Sequence, residues 1–141
     1  RVVAVKNSSM PVQDIQMFRD EGVIVFNGPD EQFVSGLAAG AVGGIGGTYA
    51  AMPELFIKAR ELFYEGKIED ARTVQNDICR IIYKMCSTHG NMYAVIKEII
   101  RIQGGPDVGS VRAPLAELAE SDKGIVQEFA DMIADAVKKY C

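Results

Sequence analysis

The sequence predicts an α/β fold that begins with a small parallel sheet and ends in helices. Three short apolar runs, at residues 2–5, 23–26 and 41–48, are each predicted to form a strand. Stretches with helical spacing and short connections separate these runs. Such alternation is typical of parallel strands joined by right-handed crossovers, and both faces of a parallel sheet need cover.

The first strand is predicted to be buried on both faces, because residues 2–5 are continuously apolar rather than alternating. A helix is then expected to begin at Pro11, a residue suited to the first helical position, and to end at Gly22. The run at residues 23–26 (VIVF) is predicted to form a second strand of the same kind.

The third unit is predicted to be a short helix from about Glu31 to Gly40, followed by an unusually glycine-rich strand at residues 41–48. After it the pattern is helical, and the next helix is expected to have Pro53 near its start and Gly66 past its end. Two further helices are predicted at residues 68–90 and 91–105, a connector at 105–118, and a last helix with Ser121 as its N-cap that runs to Lys139.

This pattern divides the chain into an α/β part at residues 1–66 and a helical part at residues 67–141. Three parallel strands cannot close a barrel, and an open three-stranded sheet leaves two unprotected edges. We therefore expect the chain to be the C-terminal part of a larger assembly, completed by the same parent protein or by a separate chain.

Composition excludes several classes of function. The net charge of −4 gives no pull toward nucleic acid or an anionic membrane, and no apolar run approaches the roughly 20 residues that span a bilayer. Three irregularly spaced cysteines favour a reducing, cytoplasmic compartment over a disulfide framework, and Cys79 and Cys86 are predicted to lie about 10 Å apart on one helix. His89 has no ligand-spaced companion and is expected at the surface, so neither a metal nor a cofactor is predicted.

Three polar loops follow the three predicted strands, and parallel strands bring such loops to one edge of the sheet, where ligands bind. Lys6 ends the first strand. Partial burial there would favour a neutral amine, which can attack a ketone and form a Schiff base. The alternative is a lysine that reaches past the sheet edge into solvent.

The other two loops permit two interpretations each. Asp30 and Glu31 could bind hydroxyl groups of a sugar-like substrate, or could simply favour a helix N-terminus. The glycines of residues 43–48 (GGIGGT) could bring the backbone close to a ligand, or could reflect tight packing or a bend. Their spacing is not that of a nucleotide-binding motif.

Together the three loops resemble the N-acetylneuraminate lyase and dihydrodipicolinate synthase family, and most closely its lyase branch. The resemblance rests on VVAVKNSS at residues 2–9, on NGPDE and GGIGGT at residues 27–31 and 43–48, and on the tail motifs GKIEDARTVQ, YAVIKEIIRIQG and GSVRAPLAEL. It covers essentially the whole chain. It implies the C-terminal portion, strands six to eight, of a (β/α)8 TIM barrel followed by a C-terminal helical extension, usually as a tetramer.

The resemblance also implies roles for individual residues in the first loop. Lys6 occupies the place of the lysine that forms an imine with pyruvate or a 2-keto acid. Ser8 falls at a polar site where the lyases have threonine. The family's catalytic tyrosine and its carboxylate-binding loop would belong to the N-terminal part of the barrel, and Tyr49 does not take the tyrosine's place.

The remaining implied contacts concern the hydroxylated part of the substrate. Gly28, Asp30 and Glu31 fall on lyase positions that contact the hydroxylated chain of the sugar acid. Gly47 falls on another substrate contact but replaces a serine, and Pro29 replaces a bulkier residue. These differences concern the aldehyde half of the substrate.

The resemblance therefore implies a cofactor-free class I aldolase, most directly an N-acetylneuraminate lyase. The alternatives are a 2-keto-3-deoxy sugar acid aldolase, a dihydrodipicolinate synthase, or an inert fragment or subunit that only assembles. Its partners would be a small 2-keto acid, the N-terminal part of the barrel and further copies of itself. Neither nucleic acid nor membrane is expected.

Overall fold

The computed structural model describes residues 1–141, and its first third contains a three-stranded parallel sheet in the order β1-β2-β3. The strands are β1 (Ala4–Asn7), β2 (Ile24–Asn27) and β3 (Gly43–Gly44). The predicted alternation of strands and helices is confirmed.

Six α-helices follow or separate the strands, and three single turns of 3-10 helix precede α2, α3 and α6. The α-helices are α1 (Asp14–Asp20), α2 (Phe33–Ala38), α3 (Pro53–Tyr64), α4 (Ile68–Met85), α5 (Met92–Ile102) and α6 (Lys123–Tyr140). The 3-10 turns are Asp30–Gln32, Thr48–Ala50 and Glu120–Asp122. None of the helices combines the length and the apolar character that crossing a bilayer requires.

The predicted burial of the first strand on both faces is wrong. Val2 and Val3 are 72% and 66% exposed, and both precede β1. The apolar run identified a strand but not its register or neighbours. β1 is an edge strand, and the helices cover only one face of the sheet.

Two other predicted strand features also differ. Lys6 is exposed and lies inside β1 rather than at a buried strand end. The third strand has only two residues instead of the predicted 41–48, and the 3-10 turn that follows begins at Thr48.

The helix boundaries follow local rules with two exceptions. Pro53 begins α3, and Gly66 follows it with φ +76°, as predicted. However, Pro11 begins a turn rather than α1, since its carbonyl accepts from the Asp14 N–H. Ser121 is not the N-cap of α6, because it lies inside the 3-10 turn that precedes the helix.

One apolar core joins the helices from α2 to α6. Its 20 buried residues include Phe33, Leu55, Ile78, Val95 and Phe129. Within this core α3 and α4 pack against each other, on either side of the predicted boundary at residue 66. A separate small cluster fills the space between α1 and the sheet with Ile15, Val25 and Ala41.

A buried carboxylate ties the α4–α5 connection to the start of α6. Asp122 accepts hydrogen bonds from the backbone N–H groups of His89 (2.7 Å) and Gly90 (3.2 Å). Its second oxygen lies 3.0 Å from His89 Nδ1. The hydrogen bond between the two side chains raises the pKa of His89 and lowers the pKa of Asp122.

This pair predicts a pH dependence of stability. The pKa of His89 is higher in the folded state than in the unfolded state. Its contribution to stability is therefore complete below its unfolded pKa of about 6.5 and is lost as pH rises through its folded pKa. Asp122 stabilises the fold above its unfolded pKa of about 3.9, and this contribution is lost as pH falls through its lowered folded pKa. We expect the melting temperature to fall from pH 6 to pH 8.5 by about 1–3 °C more in the wild type than in His89→Gln. Equal pH profiles for the two proteins would contradict this.

Candidate active site

The three strands place their polar loops at one edge of the sheet, and one face of the sheet there is uncovered. Lys6 pairs with Phe26, and Phe26 pairs with Gly43. Paired residues of neighbouring strands share a face, so these three positions lie side by side. Ile24, two residues before Phe26, shares that face and is 51% exposed. The amine of Lys6 therefore stands on an open, mainly apolar surface.

The opposite face of the sheet carries the helices. Asn7, Asn27 and Gly44 pair across it, and both asparagines are buried. Asn27 contacts Gly36 of α2 so closely that a Cβ at Gly36 would lie 2.3 Å from Asn27 Oδ1. Helix α2 is thus held directly against the strand ends, on the side away from Lys6.

Gly28 brings the first two loops into contact. A Cβ at this position would lie 2.4 Å from the Asn7 carbonyl oxygen and 2.6 Å from Ser8 Oγ. Only a glycine allows this approach. Two of the residues predicted to bind substrate, Ser8 and Gly28, are therefore neighbours in the structure.

Asp30 joins the second loop to the third. Its side chain is 7% exposed, and its Oδ2 accepts from Thr48 N (2.9 Å) and Thr48 Oγ1 (2.6 Å). Its Oδ1 is buried without a partner in the chain. The resemblance implies that Asp30 contacts the substrate, but one of its carboxylate oxygens already holds the third loop in place. Thr48 was not among the predicted site residues, because its only signal is a hydroxyl directly after the glycine run.

Glu31 and Gly47, the other two predicted contacts, lie at the same edge and are partly buried. A Cβ at Gly47 would lie 2.7 Å from the Tyr93 Cε1 atom, so a ring from α5 covers the place of a side chain there. The helical part of the chain therefore helps to shape the site. Tyr93 was not among the predicted site residues, because nothing local connects it to the loops.

Tyr49 is partly buried on the helix side of the sheet, and its hydroxyl is fully buried. Its ring stacks on Phe56 with centroids 3.8 Å apart, and its hydroxyl has no partner in the chain. Burial, with a smaller contribution from the charge of Asp30, raises the pKa of Tyr49. The phenol faces Gly44, opposite the Lys6 face. No group of three or more histidine, cysteine, aspartate or glutamate side chains could hold a metal ion.

Comparison with known proteins gives relatives along the whole chain. The profile of the Dihydrodipicolinate synthetase family matches residues 1–133. An N-acetylneuraminate lyase of Mediterraneibacter gnavus is 58% identical over 142 aligned positions, which cover 99% of this chain and 45% of that lyase. An N-acetylneuraminate lyase of Rhizobium meliloti is 31% identical over 132 positions, which cover 90% of this chain and 42% of that lyase.

A solved structure agrees with these matches. The catalytic lysine mutant of Ruminococcus gnavus sialic acid aldolase superposes with a TM-score of 0.96 at 57% identity, covering 99% of this chain and 47% of the aldolase. The chain spans about half the length of the curated relatives that it matches. The fold is therefore the C-terminal part of a TIM-barrel aldolase with its helical end, as the resemblance implied. The profile matches nearly all of the chain, so the chain belongs to the dihydrodipicolinate synthetase family.

Proposed function

We propose that this chain supplies the lysine-bearing part of a cofactor-free class I aldolase whose substrate is N-acetylneuraminate. One observation carries the proposal: Lys6 stands on the uncovered face of the sheet, in register with Phe26 and Gly43 at the edge where the loops meet. An amine there can reach a carbonyl carbon bound over the sheet.

In this mechanism Lys6 Nζ attacks the ketone of the 2-keto acid, and loss of water gives a protonated imine. The imine accepts the electron pair of the breaking carbon–carbon bond, so that an aldehyde leaves and the enamine of pyruvate remains. Protonation of the enamine and hydrolysis release pyruvate and free the lysine. A tyrosine of the N-terminal part of the barrel would carry the proton.

Each loop would contact a different part of the substrate. Ser8 lies beside Gly28, close to Lys6 in the chain, and would contact the pyruvate half or the first hydroxyl beyond it. Asp30 and Glu31 would bind the hydroxylated chain, and Gly47 would border it without offering a hydroxyl of its own. Residues 1–66 would thus supply the last three βα units of the barrel, and residues 67–141 the helical extension.

We further propose that the working protein is a cytoplasmic homo-oligomer, with a tetramer as the expected form. The lining of the active site would be completed by the N-terminal half of the barrel. The exposed side chain of Ile24 on the open face supports the presence of such a covering part, since sheets with both faces covered are the rule among parallel folds.

The test uses a completed barrel, made by placing the N-terminal residues of the Mediterraneibacter gnavus lyase before Arg1. We expect this protein to release pyruvate from N-acetylneuraminate and to form a borohydride-stable adduct with pyruvate. A shorter 2-keto-3-deoxy sugar acid is assayed in parallel, because Gly47 lacks the serine hydroxyl of the lyases. A folded completed barrel that forms no pyruvate adduct would refute the proposed function.

A further inference from the structure

A buried amide on α4 holds the loop that carries the two acidic residues. Gln75 is 7% exposed, although it lies on a long amphipathic helix far along the chain from the sheet. Its Nε2 donates to the Asp30 carbonyl oxygen at 3.2 Å, and its Oε1 accepts from the Val34 N–H at 2.9 Å. The amide therefore bridges the two ends of the segment from Asp30 to Val34.

A second side chain of α4 holds the same segment. The Cys79 thiol donates to the Glu31 carbonyl oxygen, with Sγ and O 3.2 Å apart. Gln75 Nε2 also lies 3.5 Å from Cys79 Sγ, so the two side chains contact each other. Gln75 and Cys79, one turn apart on α4, thus bond to the backbone carbonyls of Asp30 and Glu31 respectively.

One backbone group of this segment, the Val34 N–H, needs a partner that the segment does not supply. Val34 lies in the first turn of α2, where N–H groups have no intrahelical acceptor, and Gln32 at the N-cap makes no side-chain capping bond. The buried Asp30 carbonyl accepts from the Phe33 N–H and has a second acceptor site, which the Gln75 amide fills. One glutamine satisfies both groups, because its amide carries a donor and an acceptor. Neither a glutamate nor a methionine could do both.

We propose that Gln75 is a positioning residue that sets the affinity of the site for the hydroxylated half of the substrate. The proposal rests on the proposed function, in which the Asp30 and Glu31 carboxylates bind that half. Gln75 holds the Asp30 carbonyl from one side, and Thr48 holds the Asp30 carboxylate from the other. Loss of the amide frees the segment from Asp30 to Val34 and leaves Lys6, which lies on β1, in place.

The main variant is Gln75→Met in the completed barrel, since methionine keeps the length of the side chain and removes both polar groups. We expect the KM for N-acetylneuraminate to rise about tenfold, the scale of two lost hydrogen bonds, and kcat to stay within about threefold. For a shorter 2-keto-3-deoxy sugar acid, which reaches less of the loop, the rise in KM should be under about threefold. The pyruvate adduct at Lys6 should form as in the wild type.

The matched control is Gln103→Met. Gln103 also donates from Nε2 to a backbone carbonyl of another element, that of Ala51 at 2.9 Å, but it does not contact the Asp30 segment. The KM of Gln103→Met for N-acetylneuraminate should stay within about twofold of the wild-type value. A second readout is amide hydrogen exchange at Val34, which should accelerate in Gln75→Met and not in Gln103→Met.

The outcomes separate this proposal from the proposed function. An unchanged KM in Gln75→Met, or a rise equal to that in Gln103→Met, overturns the role of Gln75 while the adduct at Lys6 upholds the aldolase. A wild-type protein without an adduct instead overturns the aldolase. If Gln75→Met does not fold, Cys79→Ala removes the bond to Glu31 and the contact with Gln75 but leaves the Gln75 amide in place. A KM raised about two- to threefold then supports the positioning of this segment from α4, and an unchanged KM overturns it.

Discussion

Replacement of Lys6 by arginine will abolish both the pyruvate adduct and turnover in the completed barrel. Arginine keeps the positive charge but remains protonated, so it offers no neutral nitrogen that could attack a ketone. Removal of the nucleophile from a covalent enzyme can cost about 10⁶-fold in kcat, and we expect a loss of at least about 10⁴-fold here. The measurement is peptide mapping after treatment with pyruvate and borohydride, together with the rate of pyruvate release.

The fold should tolerate this change, because Lys6 is exposed and its side chain makes no hydrogen bond or ion pair within the chain. The melting temperature of Lys6→Arg should therefore match that of the wild type. Lys58→Arg and Lys67→Arg serve as controls, since these lysines lie on α3 and just before α4, away from the strand ends. An adduct on either of them, or an active Lys6→Arg protein, would show that the imine does not form at Lys6.

The meeting of the three loops at one edge of the sheet, where the candidate site lies, could be predicted from sequence because it depends on local order. Three apolar runs with three polar loops place Lys6, Gly28 and Gly47 at one edge through the geometry of parallel strands alone. The helix ends could be predicted for a similar reason. Pro53 and Gly66 act through their own backbone preferences, which do not depend on distant parts of the chain.

The contacts that shape the loops could not be predicted, because they join distant residues. Gln75 lies 45 residues from Asp30, and nothing near either residue announces the pairing. The only signal is a glutamine on the apolar stripe of α4, beside Val74 and Ile78, which are fully buried. The exposure of Val2 and Val3 was missed for a related reason, since the apolar run at residues 2–5 does not show which neighbours it has within this chain.

The glycine run shows the same limit and leads to a second large effect. Residues 41–48 were predicted to form one strand, but only Gly43 and Gly44 pair with β2. Beyond them the backbone passes against the carboxylate of Asp30. A Cβ at Gly46 would lie 1.5 Å from Asp30 Oδ1 and 2.4 Å from its Cγ. At Gly43, by contrast, the nearest atom is Phe26 Cδ1 at 3.8 Å, an ordinary contact distance.

Gly46→Ala will therefore destabilise the completed barrel, and Gly43→Ala will not. The added methyl group must displace a buried carboxylate that accepts from Thr48 N at 2.9 Å and from Thr48 Oγ1 at 2.6 Å. Overpacking and the disruption of these bonds together should cost about 3 kcal/mol, or about 6–10 °C in melting temperature. The melting temperature of Gly43→Ala should stay within about 2 °C of the wild-type value.

Where Gly46→Ala remains folded, we expect a raised KM for N-acetylneuraminate and an intact adduct at Lys6, since Asp30 moves and Lys6 does not. Equal melting temperatures for the two alanine variants would show that the Asp30 carboxylate does not occupy the space above Gly46.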